Sequence, residues 1–257
     1  MRVDVHFHTC LSKNIPFDHD FFGQAAQRAR EQGMFAIIIT DHFDGSGYEG
    51  IYPALDERYP YNGAYYLVNG VRFYPGVEVE VKEGPHLLVS GTRDDVLAFY
   101  HRVRDHRTPE TLLTLPEFFA KQDGLDLMNI FAHPFRPKRD LTRVDPSLIA
   151  RFDGLDLNAK DIWRFGEAVR TQVELAGQAF DCPVVAGSDT HHFWQLGSIY
   201  NEFYRPFETI AELRSRIREG AYRIHIRAEL ADWVEQAQRA KRHIKATRYG
   251  IESSLFD

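Results

Sequence analysis

One pattern along this chain constrains its fold more than any other feature: short apolar runs that read directly into a histidine or an aspartate. The chain opens with Val3, Val5 and Phe7 alternating against Asp4, His6 and His8. Phe35-Ala36-Ile37-Ile38-Ile39 continues into Thr40-Asp41-His42, residues 127–132 end at His133-Pro134, and residues 183–186 end at Gly187-Ser188-Asp189-Thr190-His191. Continuous β-branched runs of this length fit strands covered on both faces. Helix-length segments separate them, which predicts an α/β chain. Polar residues collected at the carboxyl ends of successive strands are how a βα-barrel assembles a pocket. A chain of 257 residues is an ordinary size for such a barrel. We expect the barrel over residues 1–220 and a helical extension, packed on or beside it, over 221–257.

Side chains at i and i+2 of a strand point the same way, so Asp4, His6 and His8 share a face. Burying a carboxylate and two imidazoles there without partners costs several kcal/mol, whereas a divalent cation satisfies neighbouring imidazoles directly. With His6 and His8, the strand-end donors are His42, Glu78, His86, His133, Asp189 and His191. All eight candidate ligands are imidazoles or carboxylates, a set that suits zinc, manganese or iron better than a thiolate-dependent metal. More than four donors from separate strands implies more than one ion, and a carboxylate such as Glu78 can bridge two. His101, His106, His225 and His243 lie in polar contexts and read as solvated, while His19 and His192 have no assigned role.

Composition narrows the function classes. A net charge of −6 gives no global attraction for long nucleic acids, although a small anionic substrate needs only local positive charge. Cys10 and Cys182 are too few for a disulfide framework and read as separate reduced thiols. The longest strongly apolar stretch, Met34–Ile39, is far too short to cross a bilayer, and Asp4 and His6 interrupt any secretory leader. A cytoplasmic protein with no membrane association is expected, and the oligomeric state stays open.

Between the motifs, Asp18 should cap a helix running to Gln32, with Gly33 ending it. Residues 43–66 read as a Gly- and Tyr-rich connection whose tyrosines (48, 52, 59, 61, 65 and 66) pack on the barrel rim. Residues 71–81 and 86–89 read as strands around a Gly84-Pro85 turn, 94–105 and 109–122 as helices, 154–157 as a strand and 165–180 as a helix. Residues 228–248 form an amphipathic helix whose late cations, Arg239, Lys241, Arg242 and Lys245, suit a helix carboxyl end.

The set His6-Phe7-His8-Thr9, Thr40-Asp41-His42, Gly76-Val77-Glu78, His86-Leu87-Leu88, Ala132-His133-Pro134 and Ser188-Asp189-Thr190-His191 closely resembles the polymerase and histidinol phosphatase (PHP) family, over residues 1 to about 200. The resemblance implies a distorted seven-stranded βα-barrel holding two or three divalent ions. It assigns His6, His8, Glu78 and Asp189 to one ion, Glu78, His86 and His133 to the second, and His42 and His191 to the third. Lys13 departs from the pattern, because the family carries an acid or a histidine at that place. A protonated lysine does not ligate a cation. The third site is therefore empty, weaker, or completed by Asp18 or Asp44; alternatively Lys13 replaces the ion as a fixed charge facing phosphate.

The implied reaction is metal-dependent hydrolysis of a phosphate monoester or diester in a small phosphorylated metabolite, a nucleotide or a short oligonucleotide, by water that the ions activate. Asp189 would orient or deprotonate the nucleophile, and His191 or His42 would protonate the leaving oxygen. Arg136, three residues after His133, is the candidate for gripping phosphate oxygens, in a loop that Lys138, Arg139 and Arg143 make basic. Two other classes compete: an amidohydrolase-like C–N or C–O hydrolase, and a non-catalytic PHP binding module. Glu78 as bridge and the Asp189-Thr190-His191 ending argue against the first, and the nearly complete ligand set against the second.

Overall fold

The computed structural model describes residues 1–252. Its first strands are β1 (Arg2–Phe7), β2 (Met34–Ile39), β3 (Tyr66–Val68), β4 (Val71–Tyr74), β5 (Gly76–Glu80) and β6 (His86–Ser90). They are followed by β7 (Met128–Ala132), β8 (Gly154–Asn158), β9 (Val184–Gly187), β10 (Ile199–Phe203) and β11 (Tyr222–Ile226). The α-helices are α1 (His19–Glu31), α2 (Tyr48–Arg58), α3 (Arg93–Val103), α4 (Leu115–Ala120), α5 (Pro146–Ile149), α6 (Ala159–Phe165), α7 (Glu167–Ala179), α8 (Ile210–Arg218) and α9 (Leu230–Tyr249).

These strands make two sheets, ordered β11-β10-β1-β2-β4-β3 and β5-β6-β7-β8-β9. β1, β2 and β4 run parallel, as do β7, β8 and β9, while β5-β6-β7 is antiparallel. The apolar runs are buried on both faces as expected: Val3, Val5, Ile37 and Ile39 are all inaccessible to solvent.

The mixed α/β class holds, and the described strands form two sheets with no single continuous seven-stranded ladder among them. The sheets touch along two short seams. At one, Phe7 bridges Thr190, His8 N–H donates to Thr190 O (2.9 Å) and Asp189 N–H to His6 O (2.8 Å). At the other, His42 bridges Glu78, with Glu78 N–H donating to Asp41 O at 3.0 Å. Side chains stand where a closing ladder would run. Asn201 of β10 donates to Val3 O and Ala186 O and accepts from Ala186 N–H, while Asp4 Oδ1 accepts from Ser188 N–H at 2.9 Å. The strand ends carrying the predicted ligands meet at these seams.

Three local expectations change. Residues 71–81 are two strands in different sheets, because Pro75 has no N–H for a ladder and breaks the run. The connection over 43–66 contains α2: Tyr48, Ile51, Tyr52 and Leu55 follow helical spacing and are all buried. The hydroxyls of Tyr48 and Tyr52 donate to Gly76 O at 3.0 and 2.7 Å, so these rings pack behind the site. Of the helix expected over 109–122 only α4 forms, started by a capping box between Thr114 and Glu117.

The helix capped by Asp18 is as expected. Residues 222–226, inside the expected helical extension, form a strand paired with β10, and α9 follows. Lys241 and Lys245 of α9 are buried. Among the described residues no helix is long and apolar enough to cross a membrane.

Candidate metal centre

The eight predicted ligands converge at the seams. Glu78, at 2% exposure, is the hub. Its Oε1 lies 2.7 Å from His86 Nδ1 and 3.2 Å from His133 Nε2; its Oε2 lies 3.0 Å from His42 Nδ1, 3.5 Å from His8 Nε2 and 3.7 Å from His6 Nε2. Asp189 Oδ1 is the second focus, 3.3 Å from His8 Nε2, 3.8 Å from His6 Nε2 and 3.5 Å from His191 Nδ1. Three donor groups lie close enough to hold a cation: His6, His8 and Asp189; His42, Glu78 and His86; and His8, His42 and His191.

Local backbone builds this convergence. Asp189 and His133 adopt φ of 53° and 34°, a left-handed conformation that is costly for side-chain-bearing residues and persists where surrounding structure enforces it. Gly187, just before, has no room for a side chain: a Cβ would collide with Asp156 Oδ1. Asp41 accepts from the amides of Thr9 and Cys10, both at 2.9 Å, and so shapes the loop after β1 without joining the ligands. Asp4 is likewise structural, and burial raises its carboxyl to a pKa of about 6.

Electrostatics separate the ligands. Burial works against charge on Glu78, yet His42, His86 and His6 hold its carboxyl well below the usual carboxylate range. Asp189 behaves alike, with Lys160, His6 and Arg136 overcoming burial. His6 is driven well above an ordinary histidine: burial would lower it, but Asp189, Glu78 and its hydrogen bond to Asp156 prevail. Burial, above all, lowers His42, His133 and His191.

These residues fit divalent cations. Glu78 Oε2 and His133 Nδ1 are buried without a hydrogen-bond partner, although polar atoms at such depth are normally satisfied.

Several partners were not foreseen. Asp156, fully buried, accepts from His6 Nδ1–H at 2.9 Å and from the His133 amide at 3.3 Å. Its sequence signal is Asp156 and Asn158 on one face of a buried strand, the same i, i+2 logic that singles out His6 and His8. Lys160, at the start of α6, donates to Asp189 Oδ1 (3.0 Å) and His191 Nδ1 (3.1 Å). Nothing local in the sequence marks it.

The predicted cations fall differently. Arg136 sits at the site but donates to Asp161 Oδ1 (2.8 Å), Asn158 Oδ1 (3.1 Å) and Asp189 Oδ2 (2.9 Å). Lys13 lines a small pocket with His8, His42 and His191, half exposed and paired with Asp44 at 2.8 Å. Asp18 caps α1 through the amides of Asp20 and Phe21 and is not among the three donor groups. Arg139 pairs with Glu80, and Arg143 donates to Lys138 O, so the basic loop is largely engaged with its own surroundings. Cys10 and Cys182 are buried free thiols.

Comparison with known proteins follows this geometry. The PHP-associated family model matches residues 172–222. No curated protein sequence matches the chain. Among solved structures, PsfC from Pseudomonas syringae PB-5123 superposes with a TM-score of 0.79 at 21% identity, over 95% of this chain and 98% of that one. The lesion-specific endonuclease Q of Pyrococcus furiosus superposes with a TM-score of 0.63 at 24% identity, over 87% of this chain and 57% of its own length. Endonuclease Q bound to a 27-mer duplex with an abasic lesion gives a TM-score of 0.64 at 24% identity, over 88% and 58%. In its fold the chain is similar to these structures, and residues 172–222 match the PHP-associated family model.

Proposed function

We propose that this chain is a metal-dependent phosphoesterase whose ions are held by His6, His8, His42, Glu78, His86, His133 and Asp189, with His191 beside them. The observation that carries this reading is the buried Glu78 carboxylate, within 3.7 Å of five imidazole nitrogens. Cations held there lower the pKa of water and neutralise charge on phosphoryl oxygens, the two demands of in-line phosphate ester hydrolysis. Zinc, manganese and iron all suit this donor set.

The chain's own groups divide the remaining work. Asp189 is the candidate to orient the attacking water, since Lys160 and Arg136 hold both of its carboxylate oxygens in place. His191 accepts from Lys160 at Nδ1, which leaves its proton on Nε2, available to a leaving oxygen. Arg136 acts chiefly by fixing Asp189, and Lys13 stands at the pocket wall as the cation a phosphate would meet. The net charge of −6 favours a small phosphorylated substrate over a long nucleic acid.

Metal analysis combined with phosphate-release and strand-cleavage assays tests this reading. Sugar phosphates, nucleotides, histidinol phosphate and short oligonucleotides, including abasic ones, form the panel. Hydrolysis of a phosphate ester that disappears with chelation is expected. Hydrolysis confined to amides or lactones, or metal-free inert protein, overturns it.

A further inference from the structure

The three candidate donor groups differ in charge. His6, His8 and Asp189 include a carboxylate, as do His42, Glu78 and His86; His8, His42 and His191 do not. This group contributes no carboxylate of its own, so its three imidazoles bring a dication the least negative charge of the three.

Lys160 stands against that same group. Its Nζ lies 3.1 Å from His191 Nδ1 and 3.0 Å from Asp189 Oδ1. An ammonium has three donors and no acceptor, so His191 must accept at Nδ1 and carry its own proton on Nε2. Both ring nitrogens are then committed, and His191 has no lone pair left for a metal. A dication here would also sit within the field of an ammonium that touches its ligand. His191 stacks on His8 with centroids 3.9 Å apart, which keeps the ring against the lysine. The loop lysine does not perform this task, since Lys13 is drawn to Asp44.

We propose that the ammonium of Lys160 replaces a cation on the His191 side of the site, so that the chain binds two divalent ions instead of three. The positive charge at this corner is then built into α6 and does not depend on metal supply. The proposal rests on the metal-centre reading above.

Metal stoichiometry tests it without reference to turnover. The full chain is saturated with Mn²⁺, desalted, and its ions per chain are counted by plasma mass spectrometry, with circular dichroism confirming the fold of each variant. Two ions are expected in the wild type, in Lys160→Arg and in His191→Ala. Three are expected in Lys160→Ala, falling back to two in the double variant Lys160→Ala, His191→Ala. Three ions in the wild type, or a folded Lys160→Ala protein that still holds two, overturns the proposal. So does loss of an ion in His191→Ala alone, a result that does not need the lysine variant to fold. A wild type that binds no metal sinks the metal-centre reading itself, which separates that failure from this one.

Discussion

Asp156 Oδ2 lies 2.9 Å from His6 Nδ1, and this contact decides which nitrogen of His6 faces the donor cluster. A carboxylate only accepts, so Nδ1 carries the proton and Nε2 turns toward Glu78 and Asp189. The same carboxylate takes the His133 amide, so one buried side chain positions two ligands from different strands.

Asp156→Asn keeps the shape and removes the charge. Metal affinity should fall by roughly 10- to 100-fold, the usual effect of losing a carboxylate that orients a ligating histidine. A competitive chelator titration measures this, and unaltered affinity would remove Asp156 from the centre.

Glu78→Gln should lower metal content and depress kcat by roughly 1,000-fold or more, because a neutral amide cannot compensate two cations. Ions per chain and kcat on the best substrate of the panel are the measurements. Unchanged turnover excludes Glu78 as the bridge.

For Arg136→Ala, two consequences are expected. Asp161 is buried and pairs with this guanidinium at 2.8 Å, so its loss should cost about 3 kcal/mol of stability, read from urea unfolding. Asp189 also loses a partner, so kcat should fall more than KM rises. A change in KM alone would instead return Arg136 to direct contact with phosphate.

Gly187→Ala introduces a methyl group where the Asp156 carboxylate and the His6 side chain already lie. Destabilisation of about 1–3 kcal/mol is expected, together with weaker metal binding, since the methyl pushes apart the pair that orients His6. Thermal unfolding with and without added metal checks both, and a wild-type profile refutes the crowding.

Cys10 and Cys182 are 6% and 4% exposed, and burial pushes both thiols up, Cys182 to about 12. Thiolate is therefore scarce at neutral pH, and a thiol reagent should label neither in the native protein and both in denaturant. Fast native labelling of either contradicts the packing.

How much was legible depended on whether a residue announces itself locally. His6, His8, His42, His133, Asp189 and His191 each follow an apolar run, so strand periodicity alone placed them at one end of the sheets. The helix α2 was hidden because Gly45, Gly47 and Gly50 mask the spacing of Tyr48, Ile51, Tyr52 and Leu55, which only burial reveals. The break at Pro75 was readable in principle, since a prolyl nitrogen cannot join a ladder. How the two sheets meet was not, because it depends on Asn201 and Asp4 bonding across strands distant in the chain.

What the sequence by itself determined is the set of candidate donors and the strands that carry them, since alternation and strand ends are properties of neighbouring residues. Tertiary structure alone decided the rest: which carboxylate holds His6, that Lys160 and not Lys13 meets the ligands, and that Arg136 is spent on Asp161 and Asp189. The reason is that partners for buried charges are selected by distance in space. The chain separates Asp156 from His6 by 150 positions, and only folding turns that separation into a hydrogen bond.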